Sequence, residues 1–236
     1  MCTLVAILRP NATSRVLFLE NRDMPEEYRT DDLRVIDGVV SIYDHKSDGI
    51  VCGYSTGTGI FGGLTNVLGY MGPLSRGKLL REVLTSSRTL EGALQTLTAR
   101  LRGGMYSSAN YLLGDMERLY WIESFGREVH VEESNSYLII TNNHRHLRGS
   151  TFLESSRARG AFLKTYLEAR GTVTTDEMMA LSARHSGPAS ICRHGSRATL
   201  SSLLFSVGER AEFFYSSGNP CRNRHRRMEL AVRKAI

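Results

Sequence analysis

The order of two kinds of apolar spacing constrains the fold of this chain most. Short apolar runs bounded by turn residues fill the first third and are typical of β-strands. Between 75 and 101 the leucines recur with the spacing of a helix face. Strands, helices and strands then follow in turn. This order favours antiparallel sheets covered by helices over a regularly alternating parallel fold.

The spacing predicts each element, and no repeat or linker divides the sequence. The turn-rich PNATS separates the first two runs, which predicts a hairpin. We therefore expect a single domain spanning 1–236. The predicted strands are 3–8, 16–20, 33–43, 49–54, 59–64, 109–114, 119–124, 137–141, 199–207 and 212–215, and the predicted helices are two within 75–101, with Thr89 at the start of the second, then 155–168 and 175–183.

Composition excludes several classes of protein. Hydrophobic residues make up 41% and charged residues 23% of the 236 residues, which is ordinary for a globular chain. No apolar run reaches membrane-spanning length, and Arg9-Pro10-Asn11 interrupts the first run too early for a signal peptide. We therefore expect a cytoplasmic protein without a membrane span.

The cysteines show no metal-binding or disulfide pattern in the sequence. They are far apart, without a CxxC or Cys/His zinc spacing, so free thiols and no metal site are predicted. The four residues are Cys2, Cys52, Cys192 and Cys221.

The net charge of +6 is concentrated at the end of the chain, in CRNRHRRMELAVRKAI. A basic tail at about 222–236 could contact nucleic acid or anionic lipid. A solvated terminal helix is the preferred interpretation. No zinc-finger or RNA-binding motif is present, so no specific nucleic-acid partner is expected.

Cys2 directly follows the first methionine. Removal of Met1 would place a thiol and a free α-amine on one residue. The thiol has an ordinary pKa of about 8.5 and the amine one of about 7.7–8.0, so the amine can accept the thiol proton near neutral pH. Cys2 is therefore a candidate nucleophile that needs no separate histidine base. A small strand residue without chemistry is the alternative.

Asn21-Arg22-Asp23 follows the predicted first hairpin, which returns it to the start of the chain. Arg22 could bind a carboxylate or lower the pKa of the thiol. Asp23 could hydrogen-bond the α-ammonium group or orient the thiol. A polar turn with a surface ion pair is the alternative.

Two asparagines lie where apolar strands end. Asn142 closes YLIITNN and Asn66 closes GGLTN. A side-chain amide can donate to an oxyanion without losing a proton, so both residues are candidate oxyanion donors. Asparagine is also common in turns, which is the alternative role.

These pieces together resemble known families. MCT, NRD, GIFGGLTN followed by SRGKLLREVL, and NYLLGD resemble the NRDE family, relatives of transport and Golgi organisation protein two, although Met24 replaces the glutamate of that motif. ICRHG, TLSSLLFS and SSGNPC resemble the isopenicillin N acyltransferase-like family. The pattern of Cys2, Asp23 and Asn142 is similar to choloylglycine hydrolases and penicillin V acylases. The resemblance implies the N-terminal nucleophile (Ntn) hydrolase fold, an α+β four-layer αββα sandwich of two antiparallel sheets.

The same resemblance implies catalytic roles. Cys2 would attack a non-peptide amide or thioester of a small acylated substrate, with water or an amine as the acyl acceptor. Arg22 and Asp23 would position the nucleophile. Asn142, with Asn66, would stabilise the oxyanion. The related hydrolases separate the arginine from the aspartate by two residues (RNxD), whereas the two are adjacent here.

Other polar residues are candidates for contact with the substrate. The resemblance implies a late supporting arginine, either Arg193 or Arg197, which flank His194. His194 is expected to be structural or to face the substrate. For His144 and His146, which follow Thr141-Asn142-Asn143, an ordinary polar loop is the alternative. The candidate substrate-binding residues are Asn143, His144 and Arg193, with His146 as a further pocket candidate.

A non-catalytic carrier on the same fold is the alternative function, because the biology of the NRDE family is tied to haem handling and to acyl-CoA or lipid metabolism. Haem would need an axial ligand, for which His144, His146, His194 and Cys2 are all possible. No spacing singles one out. The enzyme is preferred, no cofactor is expected, and a homo-oligomer is left open.

Overall fold

Two antiparallel sheets packed face to face organise the chain. The structure is a computed structural model, and it describes residues 2–28 and 31–229. Four helices and two short 3-10 turns, at Glu26–Tyr28 and Gly187–Ala189, complete the described elements. The elements in chain order are β1 (Cys2–Leu8), β2 (Val16–Met24), β3 (Asp31–Ile36), β4 (Val39–Asp44), β5 (Gly49–Ser55), β6 (Phe61–Asn66), α1 (Arg76–Ser86), α2 (Leu90–Arg102), β7 (Ala109–Gly114), β8 (Leu119–Phe125), β9 (Glu128–Ser134), β10 (Tyr137–Ile140), α3 (Glu154–Glu168), α4 (Thr175–Ser182), β11 (Ala198–Val207), β12 (Ala211–Ser217) and β13 (Arg226–Met228).

The layers follow the order helix, sheet, sheet, helix. The first sheet has the strand order β10-β1-β2-β11-β12-β13, and the second runs from β3 to β9 in sequence order. Helices α1 and α2 cover the outer face of the second sheet, while α3 and α4 cover the first. The predicted α+β four-layer αββα sandwich is confirmed.

Strand alternation explains why the central strands are apolar on both faces. Successive side chains of a strand point to opposite faces. On β2, Phe18 packs between the two sheets, whereas Leu17 and Leu19 pack beneath α3 and α4. Because the second sheet covers one face of β2 and the helices cover the other, the first part of the strand is a nearly continuous apolar run.

Side-chain caps set the starts of α1 and α2. Ser75 accepts a hydrogen bond from the Lys78 backbone N at the start of α1, and Thr89 accepts one from Gly92 N at the start of α2. The helix start predicted at Thr89 is confirmed.

Two glycines let α1 approach β5 closely. A Cβ atom on Gly49 would lie 2.5 Å from the carbonyl carbon of Gly77, a separation that packing does not allow. This close approach places the first turn of α1 against the end of the strand. The cavity described below opens beside it.

Three expectations need correction. The single strand predicted at 33–43 is two strands, β3 and β4, because Asp37 (φ 49°) and Gly38 (φ 78°) form a hairpin turn. An edge strand at Glu128–Ser134 was not predicted, since most of its residues are only half-buried. The predicted terminal helix is wrong at Arg226–Met228, which pair with β12 as a strand. The rest of the predicted tail, from 230 onward, lies outside the described residues.

Within the described part of the chain, no helix is long and apolar enough to cross a membrane.

Candidate active site

Cys2 faces the space between the two sheets. It stands opposite Arg22 in the β1–β2 ladder, and Leu4, the next residue on the same face of β1, belongs to the core between the sheets. Cys2 is 3% exposed and lines a cavity of about 240 Å³, together with Arg22 and Asn66. The hairpin and the strand ends therefore bring three of the predicted catalytic residues to one cavity.

The side chain of Asn142 holds the backbone nitrogen of Cys2. Its Oδ1 accepts hydrogen bonds from Cys2 N and from Arg159 Nη2, both at 2.9 Å. Its Nδ2 donates to the carbonyl oxygen of Asn66 at 2.8 Å. A guanidinium group only donates and a carbonyl only accepts, so these partners fix the orientation of the amide. Asn142 thus points an oxygen, not a nitrogen, at Cys2 N.

Arg159 is the residue of this site that sequence reasoning missed. Its side chain is fully buried, and Nη1 donates to Thr3 Oγ1 (2.8 Å), to the Cys2 carbonyl (3.2 Å) and to Asp23 Oδ2 (3.3 Å). A signal was available, because Arg159 has the helical spacing of Leu163 and Leu167 on the buried face of α3. A charge on an apolar helix face needs a buried partner.

The side chain of Asp23 contacts that arginine. Strand alternation turns its side chain to the face opposite that of Cys2, where Oδ2 contacts Arg159 and Oδ1 accepts from Thr199 Oγ1 at 2.7 Å. Burial raises the pKa of Asp23 above its ordinary value, and this outweighs the opposite effect of the Arg159 charge. Asp23 and Arg159 form a buried pair directly behind the chain start.

Arg22 faces the cavity, as Cys2 does. Its Nη2 lies 3.0 Å from Asp44 Oδ2, and both side chains are largely buried. The Arg22 side chain therefore lies on the cavity wall and not in a surface turn.

Glu20 adds an unexpected acid to the same region. It is fully buried. Burial raises the pKa of Glu20 well above its usual range, and the neighbour that acts to lower this pKa by hydrogen bonding is the Cys52 thiol. Burial also raises the pKa of the Cys2 thiol, and the negative charges of Glu20 and Asp23 add to that effect. Glu20 stands three residues before Asp23, where the RNxD pattern has its arginine.

Two predicted substrate-binding residues lie elsewhere. Asn143 and His144 line a separate cavity of about 580 Å³, and neither lines the cavity of Cys2. The Asn143 amide is bonded both ways to the Leu153 backbone, at 2.9 and 3.0 Å. His144 Nε2 lies 3.3 Å from the Ala109 carbonyl. His146 contacts Glu132.

The structure also distinguishes the two candidates for the late supporting arginine, Arg193 and Arg197. Arg193 Nη1 lies 3.4 Å from Ser155 Oγ, and its charge acts to lower the pKa of Asp23. Arg197 is exposed. Arg193 is therefore the candidate closer to the buried Asp23–Arg159 pair.

The whole chain matches a solved structure in fold. No protein-family model and no curated protein matches the sequence. The crystal structure of a single-residue variant of conjugated bile acid hydrolase from Clostridium perfringens superposes with a TM-score of 0.62 at 12% sequence identity, over 100% of this chain and 99% of that one. At this identity the match shows a shared fold, the Ntn hydrolase sandwich.

Proposed function

We propose that this protein is a cysteine Ntn hydrolase or acyltransferase, which cleaves a non-peptide amide or thioester of a small acylated substrate. The observation that carries the proposal is the position of Cys2. Its thiol lines a cavity while its backbone nitrogen is held by Asn142 Oδ1 at 2.9 Å. Both groups that the proposed chemistry uses therefore have a fitting neighbour, the cavity for the thiol and a hydrogen-bond acceptor for the nitrogen.

Removal of Met1, which lies outside the described residues, would turn the held nitrogen into the catalytic base. The thiol proton moves to the α-amine as sulfur attacks the carbonyl carbon. Because burial raises the pKa of Cys2, a standing thiolate is disfavoured, and transfer coupled to attack is the easier route. The tetrahedral intermediate then expels the leaving group, which takes the proton from the ammonium. Water or an amine releases the acyl group from the thioester.

Asn66 is the better placed oxyanion donor. Its side chain lines the cavity, and its Nδ2 has only a long contact with Met24 Sδ, at 3.9 Å, within the described structure. Asn142 commits its oxygen to Cys2 N and one N–H to the Asn66 carbonyl. We assign Asn142 to hold the amine and Asn66 to donate to the oxyanion.

The cavity lining favours a substrate with an anionic group. Arg22, Lys46 and Arg76 supply three cations against the single carboxylate of Asp44, a formal excess of two positive charges. Apolar side chains, including Leu64, line the remaining wall. A small acyl group bonded to a carboxylate-bearing amine matches both features.

The test is turnover of a panel of N-acyl amino acids and acyl thioesters by wild type, Cys2→Ser and Cys2→Ala, with intact mass recorded for each preparation. Cys52→Ala is the matched control, because Cys52 is also buried but does not line the cavity. We expect loss of one methionine from wild type. We also expect the Cys2→Ala variant to lose activity to background, while Cys52→Ala keeps most of it.

Equal turnover by wild type and Cys2→Ala would refute the nucleophile. Active protein that retains Met1 would refute the amine as base. If wild type cleaves no acyl donor but binds haem or acyl-CoA tightly, the carrier function replaces the enzyme.

A further inference from the structure

Four side chains of the kinds that can ligate metals meet in the loops before β11 and after β12. His185 follows α4, Cys192 and His194 lie in the loop before β11, and Cys221 follows β12. Their ligand atoms all lie within 4.8 Å of one another. None of these residues lines the cavity of Cys2. The sequence separates them by 7, 2 and 27 positions, so no zinc spacing is visible.

The distances between ligand atoms match a tetrahedral metal site. Cys192 Sγ lies 3.5 Å from Cys221 Sγ and 3.9 Å from His194 Nε2, and Cys221 Sγ lies 3.3 Å from the same nitrogen. Zinc bonds of about 2.3 Å to sulfur and 2.0–2.1 Å to nitrogen place neighbouring ligands of a tetrahedron about 3.3–3.8 Å apart. The rings of His185 and His194 have centroids 4.9 Å apart, which brings the fourth ligand to the cluster.

We propose that His185, Cys192, His194 and Cys221 form a structural zinc site that joins the α4–β11 loop to the segment after β12. Two thiolates and two neutral imidazoles balance the charge of one Zn²⁺, and four protein ligands leave no open position for catalysis. A disulfide would use only the two sulfurs, and it would leave the convergence of two histidines on them without a role.

The site would fix a loop that reaches the candidate active site. Cys192 and His194 flank Arg193, whose guanidinium contacts Ser155 on α3. The Arg193 carbonyl already accepts from Asn219 Nδ2 at 2.6 Å, so the two segments meet at this point without a metal. Zinc would add a second, stronger connection between them.

The experiment is metal binding by the full chain, purified under reducing conditions. We expect about one zinc per chain by elemental analysis, the stoichiometry of a four-ligand site. With Co²⁺ as probe we expect a thiolate charge-transfer band and tetrahedral d–d bands. Cys221→Ser and His185→Asn should weaken Zn²⁺ binding at least about 100-fold, since even changes outside the ligand shell cost 10–100-fold.

Cys52→Ala and His45→Asn are the matched controls, because both residues lie outside the cluster. These two variants should bind Zn²⁺ as wild type does. Circular dichroism checks the fold of every variant. His185 is exposed, so His185→Asn keeps the test valid if a cysteine variant fails to fold. Equal zinc affinity in wild type and His185→Asn would overturn the proposal. So would a wild type that binds no zinc after purification under reducing conditions.

Discussion

Replacement of Arg159 by methionine tests the buried polar cluster behind Cys2 most directly. The substitution keeps the apolar stem and removes the donors to Asp23, Asn142 and Thr3. Removal of one partner of a buried ion pair costs about 3–5 kcal/mol, because the other charge stays buried and unpaired. We expect the free energy of unfolding to fall by that amount near pH 8, measured by urea denaturation.

The loss should depend on pH. Arg159 acts to lower the pKa of Asp23, so its removal raises a pKa that burial has already raised. A carboxyl whose folded pKa lies above its unfolded value loses stability as pH rises between the two values. The cost of Arg159→Met therefore grows with pH, by up to about 1.4 kcal/mol per unit, between the folded pKa of Asp23 in wild type and that in the variant. It should be smaller at the acid end of a pH series than at the alkaline end.

Two further variants isolate the cause. Adding Asp23→Asn to Arg159→Met removes the buried carboxylate that has lost Arg159, so it should recover part of the stability and flatten the pH dependence. Lys164→Met is the matched control on the same helix, with a side chain 62% exposed, and should change stability by less than about 0.5 kcal/mol. A cost for Arg159→Met below about 1 kcal/mol, or one that stays the same throughout a pH series, would refute the reasoning.

Three other outcomes follow from the same structure. Because burial raises the pKa of Glu20, this carboxyl should cost wild type stability as pH rises above about 4.3, so the stability of Glu20→Gln relative to wild type should increase with pH when urea denaturation is repeated from pH 4.5 to 8. Leu163→Ala, at a fully buried position of α3, should cost about 2–5 kcal/mol in the same assay, and a cost below 1 kcal/mol would contradict the packing described. For an acyl substrate turned over through Cys2, kcat/KM should rise with pH towards the ordinary α-amine range of about 7.7–8.0, and a flat pH profile would argue against the amine as base.

The sequence predicted the sheets well because strand and helix periods differ sharply. It failed at Asp37-Gly38, where a tight turn stands inside an apolar run and the two strands read as one. It failed again at the edge strand Glu128–Ser134, whose half-buried residues give a weak apolar signal. Periodicity reports burial, so it is least informative where a strand is exposed or where a turn is short.

Parts of the candidate site were predictable where a hairpin brings residues together or where an apolar strand ends in an asparagine, as at Asn142 and Asn66. One hairpin places Arg22 opposite Cys2, and that pairing can be anticipated from the turn between the strands. No local pattern shows that α3 docks Arg159 onto the backbone of Cys2, since that contact depends on how the layers pack. The zinc ligands were missed for the same reason, because they come from separate loops that the fold brings together.

The contacts of Cys2 allow its chemical role and its structural support to be tested by different variants. Asn142 and Arg159 hold the backbone nitrogen and carbonyl of Cys2, not its sulfur. Cys2→Ala therefore keeps both contacts, and a loss of activity in that variant reports on the thiol alone. Arg159→Met releases the backbone carbonyl and removes the Arg159 charge from beside Asp23, so its effect on activity mixes a misplaced nucleophile with a weakened fold. Only a variant at Cys2 can decide the nucleophile, and only variants at Arg159 and Asp23 can show what holds it in place.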